Sequence, residues 1–176
     1  MTETNTHFTA KRIALMGILM ALQIILSRFA SINTPFVKIG FTFVAIVLMG
    51  MFFNPLVAGF CNMLADFIGI TLLPVGGGFF WGFSISAFLT AALYSYFFYK
   101  KDMTITRIII VNLIVGIILH MGLNTLWLYM LQGTSVYAFI PIRFSKEIIL
   151  IVVQIVVTIA MSKSQYLKKQ LIRFDS

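Results

Sequence analysis

Long apolar runs alternate along this chain with short clusters of polar, glycine and proline residues, and most runs are continuous rather than striped. The first predicted span is Ala10 to Phe29, with Lys11 and Arg12 in its opening turn. A second runs from about Phe36 to Phe53 and closes at Asn54-Pro55, where proline suits the first turn of the next helix. Leu56 to Leu73 forms a third and contains Asp66. Pro74-Val75-Gly76-Gly77-Gly78 is too glycine-rich for a stable helix and reads as a loop. The fourth span, Trp81 to Tyr99, stops at Lys100, Lys101 and Asp102. Ile105 to Leu131, the fifth, holds Asn112, His120, Asn124 and Trp127 and is long enough to tilt. The sixth opens near Ile142 and runs to Met161, which places Arg143, Lys146 and Glu147 in its first turns. The basic, mildly amphipathic tail from Ser162 to Ser176 is expected to lie along lipid headgroups.

Composition agrees with this pattern. Of 176 residues, 60% are hydrophobic and 10% charged, against about a quarter charged in soluble domains. A helix needs about 20 residues to cross hydrocarbon, so the length accommodates six spans in one polytopic domain covering 1–176. The expected fold class is an all-α membrane protein with six transmembrane helices. A secretory signal would also begin with a basic start and a short apolar run, but removing it would discard Arg28.

The net charge of +8 is then read through the positive-inside rule. Six spans put both termini on one side, together with Lys11, Arg12, Lys100, Lys101, Arg107, Lys163, Lys168, Lys169 and Arg173. Arg28, Lys38, Arg143 and Lys146 fall on the other side. Nine cations against four place the N- and C-termini in the cytoplasm. The single Cys61 can form neither an internal disulfide nor a multi-cysteine metal site and receives no role.

The four cations of the outer side all lie near span ends. They read either as a pocket for carboxylates or phosphates, with Arg28 as a bidentate anchor, or as snorkelling residues that settle helix ends. Arg143 and Glu147, four apart, are expected to pair within their helix and leave Lys146 free. Asp66, about two turns inside its span, is a functional candidate or the partner of Arg28 or Lys38.

Aromatic and small residues add three patterns. In Gly76 to Ser86, the rings of Phe79, Phe80 and Trp81 follow a flexible loop. They are either interfacial anchors or a lid hinged at Gly76, Gly77 and Gly78 that stacks on a planar ligand. His120, Asn124 and Trp127, spaced i, i+4, i+7, share one helix face, the histidine being the one expected to bond between helices. Ala10, Ala14, Gly17 and Ala21 make a small-residue stripe for close helix approach, within this bundle or to another subunit, and Arg28 nominally continues it.

No P-loop, H-E-x-x-H or G-x-S-x-G pattern and no paired histidine or cysteine ligands occur, which argues against an ATPase, a metal enzyme or a bound metal. Nucleic acid is not an expected partner, because topology accounts for the basic residues.

At Ile24 to Phe43, Ala65-Asp66-Phe67-Ile68-Gly69 and Gly78 to Ser86, the chain resembles the substrate-binding S components of energy-coupling factor (ECF) vitamin transporters, most of all the folate-specific ones. The resemblance covers nearly the whole chain. It implies a six-helix, non-enzymatic protein that binds its vitamin on the outer side of the bacterial plasma membrane. It also implies partnership with a transmembrane coupling subunit and two ATPase subunits, and toppling during transport. Gly17 to Ala21 stands where the family carries an alanine-x-x-x-alanine coupling motif, although Ala10 to Ala14 also fits, so Ala14, Gly17 and Ala21 are the docking candidates. By position, Arg28 would bind substrate and the loop before Phe80 would gate.

The expected ligand is therefore folate or a reduced folate, and no cofactor is expected. Its glutamate tail suits Arg28 with Lys38 or Lys146, its pterin suits Phe80 or Trp81, and its ring N–H groups suit Asp66 or Asn124. Ser86, Trp127 and Arg143 complete the candidate lining. Another vitamin such as pantothenate, or a membrane enzyme acting on lipid headgroups, are the alternatives.

Overall fold

A computed structural model describes residues 10–33, 38–72, 79–133 and 138–164. In chain order it contains α1 (Ala10–Arg28), β1 (Ser31–Asn33), β2 (Lys38–Gly40), α2 (Thr42–Phe52), α3 (Pro55–Leu72), α4 (Trp81–Phe98), α5 (Ile105–Ile114), a π-helical segment (Val115–Leu123), α6 (Asn124–Gln132) and α7 (Ile140–Lys163). The segments α5, π and α6 run on as one rod, so the described residues form six helical rods. Five of them are long and apolar enough to cross a membrane, and α2 is a shorter apolar helix.

The second span is where the structure departs from the sequence expectation. Residues 38–40 do not open a helix; they pair antiparallel with β1, Ile39 opposite Ile32 and Lys38 opposite Asn33. The two triplets, Ser31-Ile32-Asn33 and Lys38-Ile39-Gly40, alternate polar and apolar with the period of a strand, and an averaged hydropathy hides that alternation. At 1.5 Å per residue, the 11 residues of α2 rise only about 16 Å. The all-α expectation thus holds for the rods and misses this hairpin.

Helix ends follow local chemistry. Asn54 caps α3, its Oδ1 accepting from the Val57 amide at 2.9 Å, and Pro55 takes the first turn, where no amide is needed. Gly133 ends α6 with φ of +63°, a conformation disfavoured for any residue with a Cβ.

The rods pack with alternating direction. α4 is central: it contacts α2, α3 and the α5–π–α6 rod, while α1 lies on α2 and α3, and α7 lies on α5, the π segment and α2. This arrangement defines a basic end, carrying Lys11, Lys100, Lys101 and Lys163, and a hairpin end, carrying Arg28, β1, β2 and Trp81.

The apolar core fills the basic half and the middle. One buried cluster joins Val47, Met51, Tyr94, Phe98, Ile108, Val111, Val115 and Leu119, and a second joins Leu19, Met49, Phe53, Ala58 and Ala91. Contact is close: a Cβ on Gly50 would stand 2.9 Å from backbone atoms of Tyr94 and Ser95. Hydrogen bonds tie rods together across this half, Tyr94 Oη donating to Asn112 Oδ1 at 2.8 Å and Ser95 Oγ to the Phe53 carbonyl at 2.5 Å. At mid-depth Gln23 Nε2 donates to the Asn62 carbonyl at 3.4 Å, and Asn62 Nδ2 donates to the Ala87 carbonyl at 2.5 Å. Lipid tails are as apolar as leucine, so such packing and bonding, not hydrophobic exclusion, hold membrane helices together.

Candidate ligand site at the hairpin end

Three side-chain groups occupy the hairpin half. The first joins α1, α3 and α4. Arg28, the last residue of α1, lies against α3, its Nη2 3.3 Å from where a Cβ on Gly69 would stand. It is within electrostatic reach of Asp66, one turn earlier on α3. Asp66 Oδ2 accepts from Ser84 Oγ on α4 at 3.4 Å. Arg28 therefore turns away from the small-residue stripe of its own helix, and a long side chain at a helix end has the reach to do so. Ala14, Gly17 and Ala21 stay exposed, and a Cβ on Gly17 would meet nothing within 4 Å.

The second group is aromatic and joins α4 to α6. The Phe80 ring packs against Trp127, centroids 5.9 Å apart and planes tilted by 57°. Trp127 Nε1 donates to Ser86 Oγ at 3.0 Å. Gly82 makes room for this pair, since a Cβ there would stand 2.5 Å from both rings. Of the two rings offered as a stacking platform, Trp81 takes no part in the Phe80–Trp127 contact. Adjacent residues at a helix start point in different directions, so Trp81 is 67% exposed and stacks on Phe67, with Phe79 edge-on to both.

The third group joins the π segment to α7. Glu147 is 2% exposed, with Oε1 2.8 Å from His120 Nδ1 and Oε2 2.8 Å from Lys146 Nζ. Lys146 is thus not left free as the sequence spacing suggested, because Glu147 engages its neighbour Lys146 and a residue of another rod. Arg143 remains within electrostatic reach of the same carboxylate. Lys146 also borders an open groove of about 470 Å³ on the outer face of α7, lined with Pro141, Ile142, Ser145, Ile149 and Leu150.

The stripe of His120, Asn124 and Trp127 divides between neighbours, His120 reaching α7 and Trp127 reaching α4. Asn124 lies between them, and its Oδ1 and Thr125 Oγ1 are buried without a hydrogen-bond partner among the described residues. Buried polar atoms normally find partners, so these two are apt contacts for a ligand. Lys38 is placed by its backbone in β2, and Gly76, Gly77 and Gly78 lie outside the described residues.

The charge balance differs between groups. Arg28 and Asp66 cancel, whereas Arg143 and Lys146 exceed Glu147 by one positive charge when His120 is neutral. The aromatic step joins α4, whose Ser84 bonds Asp66, to the rod whose His120 reaches the net cationic cluster on α7. Sequence reading missed Ser84 and Gly82, for which spacing carries no signal, and it missed that Glu147 also engages Lys146 and His120.

Comparison with known proteins agrees with this architecture. Residues 11–162 match the family described as ECF transporter, substrate-specific component. The folate transporter FolT of Clostridium novyi (strain NT) is 35% identical over 142 residues, covering 81% of this chain and 82% of that protein. The folate transporter FolT of Leuconostoc mesenteroides is 32% identical over 151 residues, covering 82% and 80%. A crystal structure of FolT bound with folic acid superposes with a TM-score of 0.83 at 39% identity, covering 88% of this chain and 96% of that one. The apolar rods and these relatives identify a multi-pass membrane protein that is not an enzyme, and the chain belongs to the substrate-specific components of ECF transporters.

Proposed function

We propose that this protein is the folate-binding subunit of an ECF-type importer. The observation that carries the reading is the Phe80–Trp127 step joining the helix that bonds Asp66 to the rod that reaches a cationic excess, in a chain 39% identical to FolT bound with folic acid. Folate has matching chemistry along its length. The pterin ring is planar and suits the aromatic step, with Ser86 steadying Trp127. Its amino and ring N–H groups donate to Asp66, its carbonyl accepts from Arg28, and Asn124 takes a further ring contact. The two glutamate carboxylates then fall to Lys146 and Arg143, with Lys38 as a third cation. Trp81 serves as an outward anchor, and a gate at Gly76, Gly77 and Gly78 is what the family resemblance implies.

The exposed Ala14–Gly17–Ala21 face suits a close helix contact with a coupling subunit that works with two ATPase subunits. The termini are cytoplasmic, by the cation asymmetry, and the ligand enters from outside the bacterial plasma membrane.

Binding to purified protein tests the reading. Folate is expected to bind saturably at one site per chain and to perturb tryptophan fluorescence through Trp127, while pantothenate, which lacks the ring system, does not compete. Absence of folate binding, or equal affinity for pantothenate, would overturn it.

A further inference from the structure

The α5–π–α6 rod buries positions with an unusual period. Ile108, Asn112, Gly116 and Leu128 are buried, and His120 and Asn124, half-buried, fall on the same series of every fourth residue. In a regular helix at about 100° per residue, twenty residues would leave Leu128 about 200° from the face of Ile108. The π segment takes up this difference. Its last turn closes from the Asn124 amide to the Leu119 carbonyl, five residues back, and each such wide turn holds an added residue. By contrast, α7 buries Glu147, Ile151, Gln154 and Thr158, close to the ordinary helical period, and shows no such segment.

His120 sits inside the wide stretch, one residue after Leu119, and its Nδ1 lies 2.8 Å from Glu147 Oε1. The other oxygen of Glu147 lies 2.8 Å from Lys146 Nζ. A lysine ammonium at the end of four rotatable bonds loses conformational freedom when it captures a ligand, and holding it in advance reduces that loss. Glu147 is placed for such holding, one of its oxygens on Lys146 and the other on His120.

We propose that the π segment is a positioning device and His120 its working residue: through Glu147 it fixes Lys146 for the carboxylates of the ligand. The inference rests on the folate reading and deepens it, since it makes a residue that need not touch the ligand a determinant of affinity for one part of it. The consequence is selective. Loss of His120 should weaken recognition of the charged glutamate end and leave recognition of the pterin end alone.

The test compares folate with its dimethyl ester, in which both glutamate carboxylates are masked, in wild type, His120→Leu and His120→Asn. Wild type is expected to prefer folate. His120→Leu should lose about tenfold in folate affinity and change by less than about twofold for the ester, a coupling of the kind that double-mutant cycles isolate. His120→Asn, whose amide N–H can stand near the position of Nδ1, should recover most of the folate affinity. Equal losses for both ligands, no loss for either, or an asparagine variant as weak as the leucine variant would overturn the proposal. Should His120→Leu not survive extraction, Glu147→Gln takes its place with the same split expected. A wild-type protein that binds folate and ester alike would instead remove the assignment of the glutamate end on which the proposal rests.

Discussion

The two halves of this bundle are built on different terms. In the basic half, Tyr94, Val111 and Ile108 are enclosed, the helices approach closely at Gly50, and the polar groups Tyr94, Asn112 and Ser95 have short partners on other elements. In the hairpin half no comparable apolar cluster occurs among the described residues. Its place is taken by ion pairs, aromatic contacts and buried oxygens of Thr42, Asn124 and Thr125 without described partners. In lipid, where burying apolar surface adds little, a dense half can carry the stability of the whole bundle while the other half holds groups that would be costly alone. The comparison separates two kinds of mutational effect, on stability in one half and on ligand affinity in the other.

The largest effect is expected in the dense half. Tyr94→Ala removes a fully buried ring and leaves Asn112 Oδ1 without its donor, which should cost about 3–5 kcal/mol of stability. The protein that remains folded should bind folate within about twofold of wild type. Unfolding in detergent together with titration of the folded fraction checks both points. A comparable loss of affinity in the folded fraction would erase the division between the halves.

A smaller and opposite result is expected at Gly82. The methyl of Gly82→Ala would strike both Phe80 and Trp127, and separating those rings costs about 1–3 kcal/mol of strain or lost contact. Because the strain falls on the proposed pterin step, folate affinity should drop about tenfold while the melting temperature moves little. A large drop in melting temperature at unchanged affinity would make the aromatic step a packing element like those of the basic half.

The same division explains what could be read from the chain in advance. Five of the rods followed from the length of apolar runs, because the bilayer demands length and the chain advertises it. The hairpin did not, since its two three-residue strands are shorter than any hydropathy window. Within the site, Arg28 and Asp66 were legible as a candidate pair because an intramembrane carboxylate needs a cation. The partners of Glu147 were legible only in part: an i, i+4 rule sees one helix and finds Arg143, whereas His120 arrives from another rod by way of a wide turn that no spacing reveals. Phe80 and Trp81 are adjacent in sequence, which carries no sign that a helix start sends the two rings to different environments.

The finest test uses two buried serines of α4. Ser95 Oγ donates to the Phe53 carbonyl at 2.5 Å in the dense half, and Ser84 Oγ donates to Asp66 at 3.4 Å in the other. A bond at 3.4 Å is near the limit at which the interaction survives, so Ser84→Ala should cost less than about 0.5 kcal/mol of stability. Ser95→Ala, which leaves a buried carbonyl with one partner fewer, should cost about 1 kcal/mol and leave folate affinity unchanged. If Ser84 merely steadies Asp66, its loss should weaken folate binding by less than about threefold. A loss above tenfold would instead mean that the Ser84 hydroxyl itself bonds the pterin, and the boundary between supporting and binding residues would shift one turn deeper along α4.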